Sequence, residues 1–343
     1  MQNLVSVNLL TYNGEKYIKN CLKSVLEQTY SNIEILIIDN ASTDKTAAFI
    51  KNIKNTKYKT KVIFNPENIG FAAGHNQAIR ESKGEFIFCL NQDVVLDRNF
   101  VQMAIEIFKK DNNIAAVQGK LLRWSGEYPF SDDYVGYKIS HIIDTTGLLV
   151  LKNRRIINRG QGEIDQGQFE QSEEILGADG AVPVYRREAL EDIRINKEYF
   201  DEDFFCYKED VDLAWRLRLY NWKTIYQPMA VAWHARTAGD SAATTYFGIF
   251  RERRKISKFA KCLAFKNQRL MQIKNEQFWL LLRHLPRFLA KEFISWIFVL
   301  FFEHYTWRAI IDLFKQMPRA WQKRKVIMAK KRVEAKEMRK WFK

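Results

Sequence analysis

Ile33-Glu-Ile-Leu-Ile-Ile-Asp-Asn-Ala-Ser-Thr-Asp44, continued by Lys45-Thr-Ala-Ala-Phe-Ile-Lys-Asn-Ile53, is the stretch that decides the fold. Residues 33–38 are almost wholly apolar and stop at a carboxylate, Asp39. A run this short and apolar suits a strand covered on both faces, as in a parallel sheet. Residues 46–53 read as a helix, with Ser42 or Asp44 placed to cap it. The same unit recurs on either side. Residues 4–10 form an apolar run interrupted by Ser6 and Asn8, turn at Thr11-Tyr-Asn-Gly-Glu15, and enter a helix over 17–27 in which Ile18, Cys21, Leu22 and Val25 share a face. A strand over 61–64, a helix over 71–81 and a strand over 85–90 follow, the last ending in Asn91-Gln-Asp93. This alternation predicts an α/β domain with a largely parallel sheet. Its polar residues collect behind the strands, where open parallel sheets place their ligands.

Beyond residue 97 the pattern is mixed. A helix over 100–109 and a strand over 115–118 precede a loop-rich stretch, 158–173, and a glycine-bearing turn that runs into a short strand within 177–187. Residues 224–226 and 230–234 read as short strands closing the domain near residue 240. Between them lies Phe200-Asp-Glu-Asp-Phe-Phe-Cys-Tyr-Lys-Glu-Asp-Val-Asp-Leu-Ala-Trp-Arg216, where Asp201, Glu202, Asp203, Glu209 and Asp210 crowd among aromatics. Its second half is helical, with Asp210 near the start and Asp212 paired to Arg216 four residues on. A carboxylate held rigid beside a pocket is a candidate general base; a capped helix with an ion pair is the plain alternative.

The 343 residues carry a net charge of +15, unevenly placed. Residues 251–343 hold 25 Lys/Arg against 7 Asp/Glu, whereas the first 250 are near neutral. Two parts are therefore expected, an α/β body over 1–240 and a basic, aromatic-rich helical extension over 241–343. The apolar run 293–302 is about half of the ~20 residues a spanning helix needs. A basic surface rich in Trp, Phe and Leu fits an anionic membrane, with a basic helical cap on the body as the alternative. No nucleic-acid-binding motif accompanies the charge, so nucleic acid is not an expected partner. Cys21, Cys89, Cys206 and Cys262 are dispersed, which indicates neither a disulfide framework nor a zinc site and fits a reducing compartment. The first residues lack the basic flank and apolar core of a secretion signal.

Four further constellations can carry chemistry. Asn91-Gln-Asp93 offers oxygens at alternate positions beyond a strand, suited to Mg²⁺ or Mn²⁺ against a diphosphate. Asp39 stands where a carboxylate accepts hydrogen bonds from a nucleoside. Asn68-Ile-Gly-Phe-Ala-Ala-Gly-His-Asn76 puts glycines at a helix start, where a phosphate or ribose can approach. His234 follows a strand and joins a metal site only if it converges with Asp93.

In order and spacing these segments, together with Asp144-Thr-Thr-Gly-Leu148, Gly177-Ala-Asp-Gly-Ala181 and Trp-His234, resemble the inverting family 2 glycosyltransferases of GT-A fold. The resemblance covers roughly residues 4–241 and is nearest to the rhamnosyltransferase-like branch of bacterial surface polysaccharide synthesis. It implies a nucleoside-diphosphate sugar donor, dTDP-rhamnose ahead of a UDP-sugar, and a lipid-linked glycan acceptor. It places Thr11, Asn13, Asp39, Asn68, Gly70, Asn76 and Asn91 around the nucleotide, and Asp179, Gly180 and Arg216 where donor sugar and acceptor meet. Asp93 and His234 would hold Mg²⁺ or Mn²⁺, and Asp210, with Glu209 beside it, would be the base. The implied location is cytoplasmic, peripheral at the inner face of the plasma membrane. The chain departs from the resemblance at Asn91, where a second carboxylate is usual. That substitution leaves a nucleotide-sugar-binding scaffold as the alternative to an enzyme. A nucleotidyltransferase is disfavoured, because Thr11-Tyr-Asn-Gly-Glu15 stands where a basic Gly-rich loop would be needed.

Overall fold

The computed structural model describes all residues except 1, 54–55, 125–139, 237–242 and 244. In chain order the first half contains β1 (Val5–Thr11), α1 (Ile18–Leu26), β2 (Ile33–Asp39), α2 (Thr46–Lys51), β3 (Lys59–Phe64), α3 (Gly70–Glu81), β4 (Phe86–Asn91), β5 (Val94–Leu96), α4 (Phe100–Phe108) and β6 (Ile114–Arg123). Then come β7 (Ile143–Thr145), β8 (Leu148–Val150), β9 (Ile156–Asn158), β10 (Glu173–Ile175), β11 (Val184–Arg186), α5 (Arg187–Ile193), α6 (Glu209–Leu219) and β12 (Lys223–His234). The extension is helical: α7 (Tyr246–Lys255), α8 (Lys258–Asn275), α9 (Phe278–Arg283), α10 (Leu285–Phe302), α11 (Trp307–Lys330) and α12 (Ala335–Met338).

The main sheet runs β10-β12-β6-β11-β4-β1-β2-β3, with β5 on β12 and β7 on β6. β3, β2, β1 and β4 are parallel, as the alternation of strands and helices requires, and β11 enters antiparallel between β4 and β6. Register aligns Thr11 with Asp39 and Leu10 with Asn91, so the polar strand ends lie at one edge of the sheet. Along β4 the side chains alternate between two cores. Phe86, Phe88 and Leu90 join α1 and α4 on one face, while Ile87 and Cys89 join α3, α5 and α6 on the other.

Two expected elements differ in extent. β6 runs on to Arg123 because Lys120, which breaks the apolar pattern, is buried in ion pairs with Asp165 (2.9 Å) and Glu170 (2.5 Å). The two short strands expected near 224–234 form one strand, β12, whose ladder to β6 slips between Gln227 and Val231. Pro228, lacking an N–H, sits in that irregularity.

The extension packs on the body. Leu270, Met271, Leu280, Leu313, Ala320 and Ile327 belong to the same buried cluster as Trp215 and Leu217 of α6. Its lysines account for two of the crowded carboxylates, Asp201 and Asp203. Lys274 pairs with Asp201 and with Asp212 (2.8 Å), and Lys323 pairs with Asp201 (2.5 Å), Glu198 (2.8 Å) and Asp203 (3.3 Å). No helix among the described residues is long and apolar enough to cross a membrane.

Candidate functional site

A cavity of about 400 Å³ opens at the polar edge of the sheet, walled by the ends of β4, β9 and β12, the 179–181 turn, the start of α6, and Ile256 and Ala260 of the extension. Asn91, Asp93, Asp179, Gly180, Glu209, Asp210 and His234, all expected in the site, line it together.

Asp210 stands on the first turn of α6. Its Oδ1 accepts from the Val211 N–H (2.8 Å) and its Oδ2 from the Gly180 N–H (3.1 Å). These bonds and the Lys208 ammonium favour the charged form. Burial and the nearby Asp179 outweigh them and push Asp210 up to about 6. A helix start by itself favours the charged carboxylate; here desolvation outweighs it. Glu209 is buried and, among the described residues, its Oε2 has no hydrogen-bond partner; burial and the charge of Asp210 raise it well above the usual carboxylate range. Lys208 and Tyr207 have φ of 74° and 70°, a left-handed backbone unusual for such residues. Asn267 of α8 holds that turn, its side-chain amide donating to the carbonyls of Phe204 (2.9 Å), Cys206 (2.9 Å) and Tyr207 (2.7 Å). Gly177 seats α6 itself, since a Cβ there would lie 2.2 Å from the Ala214 side chain.

Asp93 follows β4 and His234 ends β12, and the pairing of β5 with β12 brings them together. His234 Nε2 lies 3.4 Å from Asp93 Oδ1, and Nδ1 lies 2.7 Å from Asp144 Oδ2. Burial opposes a charge on the imidazole, yet the two carboxylates push it up to about 10. Against the same burial, His234 holds Asp93 below the usual range, and His234 with Arg236 does so for Asp144. Arg236 also reaches Asp144 and approaches Asp179 Oδ2 at 3.5 Å. Among the described residues no three His, Cys, Asp or Glu side chains converge as a metal cage.

The remaining expected residues are elsewhere. Thr11 and Asp39 sit side by side at the strand ends. Thr11 bonds Gln92, and Asp39 accepts from the N–H and hydroxyl of Ser42 (3.1 and 2.6 Å). Asn13 spends its side-chain carbonyl on the Thr43 N–H (2.8 Å), joining two loops. Asn68 accepts from the Gly70 N–H (2.9 Å), and Gly70, at φ +86°, has Phe205 so close that a Cβ would lie 2.7 Å from its carbonyl. Two expectations need correction. Asn76 is fully buried and accepts from the N–H groups of Tyr199 (3.2 Å) and Phe200 (2.9 Å), so it ties α3 to the 199–202 segment and does not face the cavity. Arg216 does pair with Asp212 (3.0 Å), but it is buried, and it donates to the carbonyls of Ile193 (2.9 Å) and Tyr199 (2.6 Å), away from the cavity. Sequence reasoning assigned no role to Arg236, Asn158 or Lys208. Asp144 it met only inside a quoted segment, and the hint available was a carboxylate in an otherwise apolar stretch.

The pattern of glycosyl transferase family 2 matches residues 6–194. Poly-beta-1,6-N-acetyl-D-glucosamine synthase of Staphylococcus epidermidis is 27% identical over 242 residues, 67% of this chain and 49% of its own length. The enzyme of that name from Staphylococcus aureus strain COL is 27% identical over 238 residues, 66% of this chain and 48% of its own. The chain thus spans about half the length of the curated relatives it matches. Among solved structures, S. aureus TarS 1–349 in complex with UDP-GlcNAc superposes with a TM-score of 0.52 at 18% identity, covering 95% of this chain and 83% of that one. A mannosyltransferase from Pyrobaculum calidifontis in complex with GDP-Man and Mn²⁺ gives 0.52 at 15% identity, covering 99% and 88%. These likenesses show the GT-A fold. With the family pattern matched over more than half its length, the chain belongs to glycosyl transferase family 2.

Proposed function

We propose that this glycosyltransferase transfers a sugar with inversion from a nucleoside diphosphate to a hydroxyl of a lipid-linked or cell-surface glycan, with Asp210 as general base. The observation that carries the reading is Asp210 itself. It is a carboxylate pushed up to about 6, fixed by two backbone N–H groups, and it shares one cavity with Asp93 and His234. A base near neutrality is charged at working pH yet still basic enough to take a proton. The acceptor oxygen forms a bond to the anomeric carbon as the bond to the diphosphate breaks. The hydroxyl proton goes to Asp210, and the electron pair leaves with the nucleoside diphosphate. Burial and the charge of Asp210 push Glu209 beside it toward the neutral form.

Asp93 and His234 fit a divalent cation. Asp93 Oδ1 and His234 Nε2, an oxygen and a nitrogen donor 3.4 Å apart in one cavity, would hold it, and Asp144 would orient the imidazole through Nδ1. When bound, Mg²⁺ or Mn²⁺ supplies charge stabilisation for the departing diphosphate. Thr11, Asp39, Asn68 and Gly70, grouped at the strand ends and the start of α3, serve the nucleotide. Asp179 and Gly180 border the donor sugar and acceptor. The relatives' names favour UDP-GlcNAc as the first donor to try, ahead of the dTDP-rhamnose that the sequence resemblance suggested. Work on a lipid-linked acceptor puts the enzyme at the inner face of the plasma membrane.

The test is nucleoside diphosphate release from UDP-GlcNAc, dTDP-rhamnose and GDP-mannose, with Mg²⁺, Mn²⁺ or EDTA. We expect one donor to be used, release to be lost in EDTA, and Asp210→Asn to lower kcat by roughly 10²–10⁴-fold. Turnover unchanged in Asp210→Asn would put the base elsewhere. Release persisting in EDTA would mean that Asn91, in place of a carboxylate, marks a metal-independent site.

A further inference from the structure

The extension has an inner face spent on the body and an outer face with no partner among the described residues. On α10 the apolar side chains Leu289, Phe293, Ile297 and Phe301 recur at helical spacing and are all exposed, Phe293 by 69%. Trp307, Ile311, Phe314 and Trp321 form a second exposed stripe on α11, and Phe278 and Trp279 stand out from α9, Trp279 by 72%. The three helices are joined by an apolar groove of about 530 Å³, with Phe278 from α9, Phe288 and Trp296 from α10, and Phe314, Met317 and Trp321 from α11 on its walls. Scattered apolar side chains need no explanation, but aromatic stripes converging on one groove mark an interaction surface.

Charge selects the partner. Arg283, Arg287, Arg308, Lys315 and Lys325 are exposed on the same helices. Over residues 278–330 Asp312 is the only exposed carboxylate among the described residues, because Glu292 is paired with Arg269 and Glu303 with Arg253. A protein partner would have to match this positive field with its own carboxylates, whereas an anionic lipid headgroup layer over acyl chains supplies negative charge and apolar depth together. None of the helices is built to cross the bilayer. We infer that α9, α10 and α11 form a monotopic docking face that lies in the surface of an anionic membrane. α8 belongs to the same helical extension and lines the cavity through Ala260, with Ile256 just ahead of it. The docking face therefore holds that cavity near the headgroups, where a lipid-linked acceptor presents its sugar. This last step rests on the proposed function; the membrane contact does not.

The test is flotation of the full chain with vesicles of phosphatidylcholine alone or with 30% phosphatidylglycerol (about one lipid in three, a composition chosen to mimic an anionic leaflet), without donor or acceptor. We expect binding to the anionic vesicles only, weakened by salt. Trp279→Ser/Phe293→Ser/Phe301→Ser, all solvent-facing changes, should reduce it at least tenfold, while donor hydrolysis in detergent-free buffer stays as in the wild type. No flotation of the wild type, or flotation unaffected by the triple change, overturns the inference. So does a wild-type dimer that the triple change converts to monomer without any vesicle binding, which would show that a second copy covers the face. Flotation together with silence across the donor panel would sink the transferase reading and leave the membrane face standing.

Discussion

Asp210 is the side chain on which the most depends, and its titration gives a direct expectation. The carboxylate must be charged to accept a proton, and burial beside Asp179 places its pKa at about 6. Activity should therefore be level above that value and fall about tenfold per pH unit below it, read as the acid limb of kcat/KM. Arg216 gives the opposite kind of expectation. It pairs with Asp212 and donates to two backbone carbonyls well inside the protein. Arg216→Met should thus cost about 3–5 kcal/mol in urea denaturation, by stranding buried acceptors. The donor KM of whatever folded enzyme remains should be unchanged; a raised KM with normal stability would return Arg216 to the site. The i,i+4 spacing revealed the ion pair in the sequence, but a spacing says nothing about which way that helix face points.

Among the elements, α6 shows how the extension supports the site. Lys274 of α8 lies between Asp201, ahead of α6, and Asp212 on its first turn. Replacing it with Met would leave Asp201 to Lys323 and Asp212 to Arg216. We expect a loss near the lower end of the roughly 3–5 kcal/mol seen when one partner of a buried pair is removed. Although burial raises it, Lys274 and Lys323 hold Asp201 well below the usual carboxylate range. A group depressed in the folded state contributes stability above its unfolded pKa and loses it as pH falls toward the folded value. The wild type should then lose stability below about pH 4, and Lys274→Met should show a shallower dependence when urea midpoints are compared at pH 7, 4 and 3. β1 to β4, the first part of β6 and helices α1 to α4 were largely legible because periodicity is a local signal, whereas the three-residue β5 was not. The crowding of Asp201 and Asp203 was visible too, but not what relieved it: the relevant lysines, Lys274 and Lys323, lie far along the chain in α8 and α11, and nothing local announces such a pairing. Asp93, Asp179 and His234 could be picked out from the order of the segments, whereas Arg236 and Asn158 stand in no segment that the resemblance singles out.

For the whole molecule, the division near residue 240 holds for composition but not for the core. The buried cluster around α6 includes Met271, Leu313, Ile327 and Phe342, so a chain cut after residue 250 would expose the Trp215 face and leave Asp201 and Asp212 without Lys274. Such a truncation should not yield a folded glycosyltransferase. A cooperative thermal transition in the 1–250 fragment, seen by near-ultraviolet circular dichroism, would show otherwise. The link reaches furthest at residues 332–343. The N–H groups of Arg332 and Val333 donate to the Leu219 carbonyl, and Lys343 exchanges bonds with Val150 and Lys152. A ribosome adding about 5–20 residues per second delivers Leu219 roughly 6–25 s before residue 342. For that interval the nascent polypeptide carries α6 without the surface that seats it. Newly made protein thus waits on residues 332–343 before α6 has the contacts that hold it.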